Sequence, residues 1–73
     1  MTFEEYIEKS FTNYLNRTSD DIRLGQVLFN TLAMSDRSIL AQNVVETYRD
    51  PYLNNENVGA FLIYVAENWH ETP

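Results

Sequence analysis

Cysteine is absent from this sequence of 73 residues, and glycine, proline and histidine are scarce, at two, two and one. The absence of cysteine excludes disulfides, thiolate metal sites, iron–sulfur clusters and cysteine nucleophiles. No apolar run approaches the roughly 18 residues that a transmembrane helix needs. The first residues also carry acids where a signal peptide would carry bases. We therefore expect a cytoplasmic protein without a membrane anchor or a cofactor.

Basic residues are also few, with five lysines and arginines against eleven acids and a net charge of −6. This balance opposes direct binding to nucleic-acid phosphates and to anionic membranes. Short helices joined by tight turns would fit a helix-turn-helix, but such a domain is usually basic. The charge therefore predicts no direct nucleic-acid binding and favours a basic or mixed protein surface as the partner.

Hydrophobic periodicity predicts helices throughout. The first predicted helix runs from about residue 2 to about residue 16. Thr2 and Glu5 have the spacing of a capping box at its start. Its apolar residues recur at three- and four-residue steps: Phe3, Tyr6, Ile7, Phe11, Tyr14 and Leu15.

Ser19 is a start signal for a second helix, whose broad apolar coat predicts the most buried helix of the chain. Gly25 lies inside this helix and costs about 1 kcal/mol of helix propensity against alanine. We expect that another backbone segment crosses closely there.

Ser35 and Asp36 open a third segment, with Leu40, Val44 and Tyr48 on its predicted inward side. This segment must stop near residue 49, because Pro51 disfavours helical geometry in the residue before it. Residues 50–57 are predicted as a loop, since they are rich in turn and capping residues. The last helix carries an apolar stripe of Val58, Phe61, Leu62, Val65, Ala66 and Trp69, and residues 70–73 should fray.

The whole chain, residues 1–73, is therefore predicted to be a single all-α domain, a compact bundle of about four short helices. A second copy could cover part of the apolar coat, because a domain this small often gains stability from pairing. A homodimer is thus left open.

Acidic residues concentrate in the first and last predicted helices. If those helices pack side by side, four glutamates could form one negative face: Glu4, Glu8, Glu67 and Glu71. Such a face could imitate a phosphate row and occupy a basic groove. The simpler alternative is a solvated face, since many acids of this chain lie where helix N-termini favour them.

The sequence offers little catalytic chemistry. The only histidine, His70, lies near the end, where packing cannot hold a catalytic base. Asp20, Asp21 and Asp50 could serve a carboxylate hydrolase, but capping explains the first two more simply. No metal-ligand spacing, calcium loop or glycine-rich phosphate cradle occurs. We expect no catalytic residue, metal or cofactor.

Ten of the residues are aromatic, and a core this small cannot enclose all of them. Some tyrosines should reach the surface, where such rings are enriched at protein-binding sites. Tyr64 is the clearest case, because it lies off the stripe of the last helix.

The run from Arg23 to Leu32, then Asp50-Pro51-Tyr52, then Ala60-Phe61-Leu62 and Glu67-Asn68-Trp69, resembles small uncharacterised proteins of bacteriophages and prophages. Those proteins share an RxGQxxFNxL segment and a later DPF or DPY, and the resemblance covers about residues 3–69. Here Leu53 stands where a second aromatic residue often follows the proline. The resemblance implies a phage-encoded protein acting inside a bacterial cell.

If the shared positions form a site, its candidate residues are Arg23, Gln26, Asn30, Asp50 and Tyr52, because loops and adjacent helix faces usually carry recognition. Their alternative role is architectural, with Arg23 or Asn30 bonding the loop at Asp50.

The leading functional prediction is a non-catalytic binding protein that inhibits or modulates a host protein, such as a defence or nucleic-acid-processing factor. The alternatives are an acidic mimic of nucleic acid, a small structural or self-assembling phage protein and a small hydrolase.

Overall fold

The computed structural model describes residues 1–70 and contains four α-helices, with no strand in that range. They are α1 (Phe3–Leu15), α2 (Leu24–Ala33), α3 (Ser38–Gln42) and α4 (Val58–Asn68). A 3₁₀ helix, Asn55–Asn57, directly precedes α4. The prediction of a small all-α bundle is confirmed.

The start of α1 is the predicted capping box. The Thr2 N–H donates to Glu5 Oε1 at 2.8 Å, and the Glu5 N–H donates to Thr2 Oγ1 at 3.1 Å. Hydrogen bonds to the Glu5 carboxylate from the Thr2 backbone N–H and from the Thr2 side chain lower the pKa of Glu5. A lowered pKa in the folded state means that Glu5 favours folding above its ordinary pKa, and that this effect is lost as the pH falls.

The core gathers around α2, against which α1 and α3 both pack. Its fully buried members come from all four helices and the loop after α3: Tyr6, Leu28, Leu32, Leu40, Ala41, Val44, Phe61, Val65 and Trp69. The Tyr6 hydroxyl donates to the Leu28 carbonyl oxygen at 2.7 Å, and burial raises the pKa of Tyr6. The prediction that the second helix is the most buried is confirmed, since half of α2 is buried.

Trp69 joins the end of α4 to the start of α1. Its ring stacks on Tyr6 with centroids 5.5 Å apart and meets Phe3 edge-on at 5.6 Å. Its indole N–H donates to the Met1 carbonyl oxygen at 3.3 Å. These aromatic contacts close the bundle.

The predicted start of the second helix at Ser19 is wrong. Ser19 opens a turn instead, in which its hydroxyl accepts from the Asp21 N–H at 3.1 Å. The helix begins only after Arg23, whose N–H donates to Gln26 Oε1 at 2.9 Å. At Ser19, a short turn closed by a side-chain hydrogen bond forms in place of the first turn of a helix.

The third helix is also shorter than predicted, because α3 ends at Gln42. Residues 43–54, which we call the Asp50 loop, follow in a series of turns. Glu46 has a φ of 61°, in the left-handed region, and this interrupts the helical period. Tyr48, predicted to face inward, is therefore 66% exposed.

The predicted apolar faces of the outer helices are only partly buried. Phe11 and Leu15 of α1 are exposed, while Ser10 is fully buried beside Tyr6. In α4, Phe61 and Val65 are buried, whereas Ala66 is exposed. His70 is exposed, and the rest of the segment predicted to fray lies outside the described residues.

The close crossing predicted at Gly25 is confirmed. A Cβ atom built there would overlap the Pro51 carbonyl oxygen and lie 2.8 Å from Asn55 Oδ1. The Gly25 N–H donates to the same Asn55 oxygen at 3.1 Å. Glycine thus lets the Asp50 loop lie directly on the first turn of α2.

The two glycines provide a matched pair of variants. Gly25→Ala should lower the free energy of unfolding by about 2 kcal/mol or more, because the backbone of Pro51 must move. Gly59→Ala should raise it by up to about 1 kcal/mol, since no atom lies within 4 Å of its added Cβ. Urea unfolding followed by Trp69 fluorescence measures both. Equal effects of the two substitutions would contradict the crossing.

Candidate functional site

Asp50 holds the Asp50 loop in place through hydrogen bonds to the loop backbone. Its side chain is only 3% exposed. One carboxylate oxygen accepts from the Glu46 N–H at 2.8 Å and the other accepts from the Tyr52 N–H at 3.0 Å. Its carbonyl oxygen accepts from Asn57 Nδ2 at 2.9 Å. These bonds hold Glu46 in its left-handed conformation and tie the loop to the turn before α4.

Arg23 attaches the loop to α2. Its guanidinium donates to the Tyr52 carbonyl oxygen at 2.6 Å and to Asn55 Oδ1 at 3.1 Å. Of the residues proposed as a site, Arg23, Gln26 and Asp50 thus have their polar atoms in hydrogen bonds that shape the loop and start α2. The structure places these three in the architectural role that the sequence left open.

Four apolar side chains of the Asp50 loop are exposed to solvent. We call the set of Val45, Tyr48, Tyr52 and Leu53 the aromatic surface. Tyr52 is 43% exposed. Its ring meets the ring of Phe29 in α2 edge-on, with the two centroids 5.7 Å apart. Asn30, the next residue of α2, is exposed. The predicted residues Tyr52 and Asn30 therefore remain accessible.

A second group adjoins this surface. The Arg49 guanidinium lies 4.7 Å from the centre of the Tyr48 ring and 5.1 Å from that of Tyr64. Asn43 Nδ2 donates to the Tyr64 hydroxyl at 3.1 Å. Tyr64, predicted to be exposed, is half-buried by these contacts.

Sequence reasoning missed the pair of Tyr48 and Arg49, whose side chains lie against each other. Periodicity places Tyr48 on the inward side of a helix, and the predicted end of that segment falls near residue 49. The signal that could have found them is the run Tyr48-Arg49-Asp50-Pro51-Tyr52, in which two tyrosines flank a turn-forming pair.

Three of the four glutamates of the predicted acidic face lie within the described residues. Glu4, Glu8 and Glu67 are exposed, and Glu71 lies outside the described residues. Helices α1 and α4 meet through Trp69 and the first turn of α1. There Glu4 lines a shallow cleft of about 370 Å³ together with Arg37 and His70. Positive charge is thus present beside this glutamate.

The candidate catalytic groups are dispersed over residues 1–70. Asp20 lies 3.9 Å from Arg17 in an exposed ion pair, Asp21 is exposed, and Asp50 is buried in the loop. Within that range, no three acidic or histidine side chains come close enough to hold a metal ion. No helix of the same range has the length and hydrophobicity to cross a bilayer.

Comparison of this chain with protein-family models, with curated proteins and with solved structures finds no match. The resemblance to bacteriophage proteins remains a prediction from the sequence.

Asp50→Asn should lower the free energy of unfolding by about 2 kcal/mol, because an amide replaces one accepting oxygen with a donor that faces a backbone N–H. Glu56 is an exposed carboxylate beyond the loop. Glu56→Gln should change the free energy of unfolding by less than about 0.5 kcal/mol. Thermal unfolding by circular dichroism measures both. An Asp50→Asn protein as stable as the control would show that the carboxylate does not hold the loop.

Proposed function

We propose that this chain is a non-catalytic protein-binding module that contacts its partner through the aromatic surface. The supporting observation is that one loop both carries exposed apolar side chains and is held in place by hydrogen bonds. Val45, Tyr48, Tyr52 and Leu53 face solvent, while Asp50 and Pro51 between them are buried. Exposed tyrosines of this kind are enriched among the residues that dominate binding energy.

The fixed loop favours binding because little conformational freedom is left to lose. Asp50 and Arg23 hold the backbone on both sides of Pro51. Ordering a mobile loop on association would cost affinity, whereas a loop ordered beforehand avoids that cost.

The dimensions also suit an interface. Tyr48 and Tyr52 are four residues apart, so their Cα atoms are separated by at most about 14 Å. A standard interface covers about 800 Å² on each partner and can include both rings. The spacing of these two tyrosines is therefore compatible with a single interface.

The resemblance to phage proteins supplies the proposed target. We expect a bacterial host protein in the cytoplasm, such as a defence or nucleic-acid-processing factor, which this chain inhibits or modulates. The net charge of −6 supports a partner whose surface is basic or mixed.

The second candidate function is the acidic mimic. Its supporting observation is that Glu4, Glu8 and Glu67 are exposed and form no ion pair with another residue of the described range. A mimic would bind through these carboxylates, so its binding would depend steeply on salt.

The proposed function is tested by an affinity experiment. The chain is immobilised, a nuclease-treated bacterial lysate is passed over it, and the retained proteins are identified. Tyr48→Ala combined with Leu53→Ala should weaken retention of one stoichiometric protein at least tenfold, since hot-spot truncations typically cost about 2 kcal/mol or more. Leu15→Ala is the matched control, since this leucine of α1 is even more exposed than Leu53, and it should have no effect.

Retention that survives the double substitution would contradict the proposed binding surface. Loss of retention in a Glu4→Gln, Glu8→Gln and Glu67→Gln variant, together with release at high salt, would favour the mimic. Retention of the chain itself would indicate self-assembly.

A further inference from the structure

Arg49 is the only lysine or arginine between residues 38 and 70, a stretch that contains four acids. These acids are Glu46, Asp50, Glu56 and Glu67. An arginine can form a paired, charge-assisted contact with such a carboxylate when the two groups meet.

The structure shows a different arrangement. The Arg49 guanidinium lies over the Tyr48 and Tyr64 rings and forms no ion pair with any residue of the range 1–70. The neighbouring Asp50 carboxylate accepts from backbone N–H groups instead. By contrast, Arg17 lies over Tyr14 and also pairs with Asp20.

We propose that Arg49 is a recognition point for a carboxylate of the partner protein. The inference rests on the proposed function and names one contact within it. The two ring centres lie 4.7 and 5.1 Å from the guanidinium carbon, and an arginine held over aromatic rings can still bind a ligand through the N–H groups along its edge.

The planar shape of the guanidinium group determines which ligands it can bind. The edge of a guanidinium matches the two oxygens of a carboxylate or phosphate in a paired hydrogen bond. This chain has a net charge of −6, which repels a doubly charged phosphate more strongly than a single carboxylate. The partner therefore brings an aspartate or glutamate to Arg49 from a surface of mixed charge.

Tyr64 acts as a positioning residue for Arg49. Asn43 donates to its hydroxyl at 3.1 Å, and α4 holds its backbone, so the ring beneath the guanidinium has a fixed orientation. Tyr64→Phe keeps the ring but removes this hydrogen bond. It should weaken partner binding less than loss of the guanidinium does.

The first test measures affinity for the protein retained from the nuclease-treated lysate. Arg49→Gln should weaken its binding at least tenfold, because a charge-assisted paired contact is lost. Arg17→Gln is the matched control, since that arginine also covers a tyrosine but already has an acidic neighbour. It should leave the affinity unchanged. Thermal unfolding establishes that both variants fold.

The second test identifies the partner group. Arg49→Lys places an amine at this position, and a water-soluble carbodiimide joins an amine to a carboxylate in contact with it. Mass spectrometry should find residue 49 linked to an aspartate or glutamate of the retained protein. The Arg17→Lys variant should give no link from residue 17 to that protein.

The two proposals fail in different ways. If the retained protein depends on Tyr48 and Leu53 but binds Arg49→Gln as tightly as the wild type, the carboxylate contact is overturned and the proposed function stands. A link from residue 49 only to Glu46 or Glu67 of the same chain, or loss of binding after phosphatase treatment of the partner, also overturns it. If the wild-type chain retains no protein, the proposed function itself fails.

Discussion

The contact between Gly25 and the backbone of Pro51 is the constraint on which the irregular half of this molecule depends. Only a residue without a Cβ lets the loop approach the first turn of α2 so closely. The approach brings Asn55 within reach of the Gly25 N–H and of Arg23. Because the loop is bonded to α2 at this point, its buried Asp50 can organise the turns on either side.

All four arginines of this acidic chain contact neutral groups within residues 1–70. Arg17, Arg37 and Arg49 lie over aromatic rings, and Arg23 donates to a carbonyl and an amide oxygen. Most carboxylates therefore keep their charge exposed to water, which screens them and makes surface pairing worth little. The negative surface therefore has two causes. The sequence has an excess of acids, and the few cations stabilise the fold through contacts with neutral groups.

The regular elements of the fold were predictable because they depend on local signals. The capping box at Thr2 and the periodicity of α2 can each be read within a few residues. The Asp50 loop could not be predicted in this way, because hydrophobic periodicity gives no signal for the left-handed turn at Glu46 and because Arg23 bonds to Tyr52 across 29 residues. The exposure of Tyr48 follows from this irregular backbone, so sequence periodicity assigned it to the wrong side.

Glu46 shows why the surface that we propose for binding lies in the loop and not on a helix. Its left-handed conformation costs about 1 to 2 kcal/mol for a residue with a Cβ, and the Asp50 carboxylate offsets this cost by accepting its N–H. Had α3 continued with regular period to residue 49, Tyr48 would have shared the inward side with Leu40 and Val44. The strained turn instead directs Tyr48 to solvent beside Arg49, and such local strain is a frequent feature of functional sites. The helices thus supply most of the core, while the loop that Asp50 holds in place carries the exposed side chains through which we propose that binding occurs.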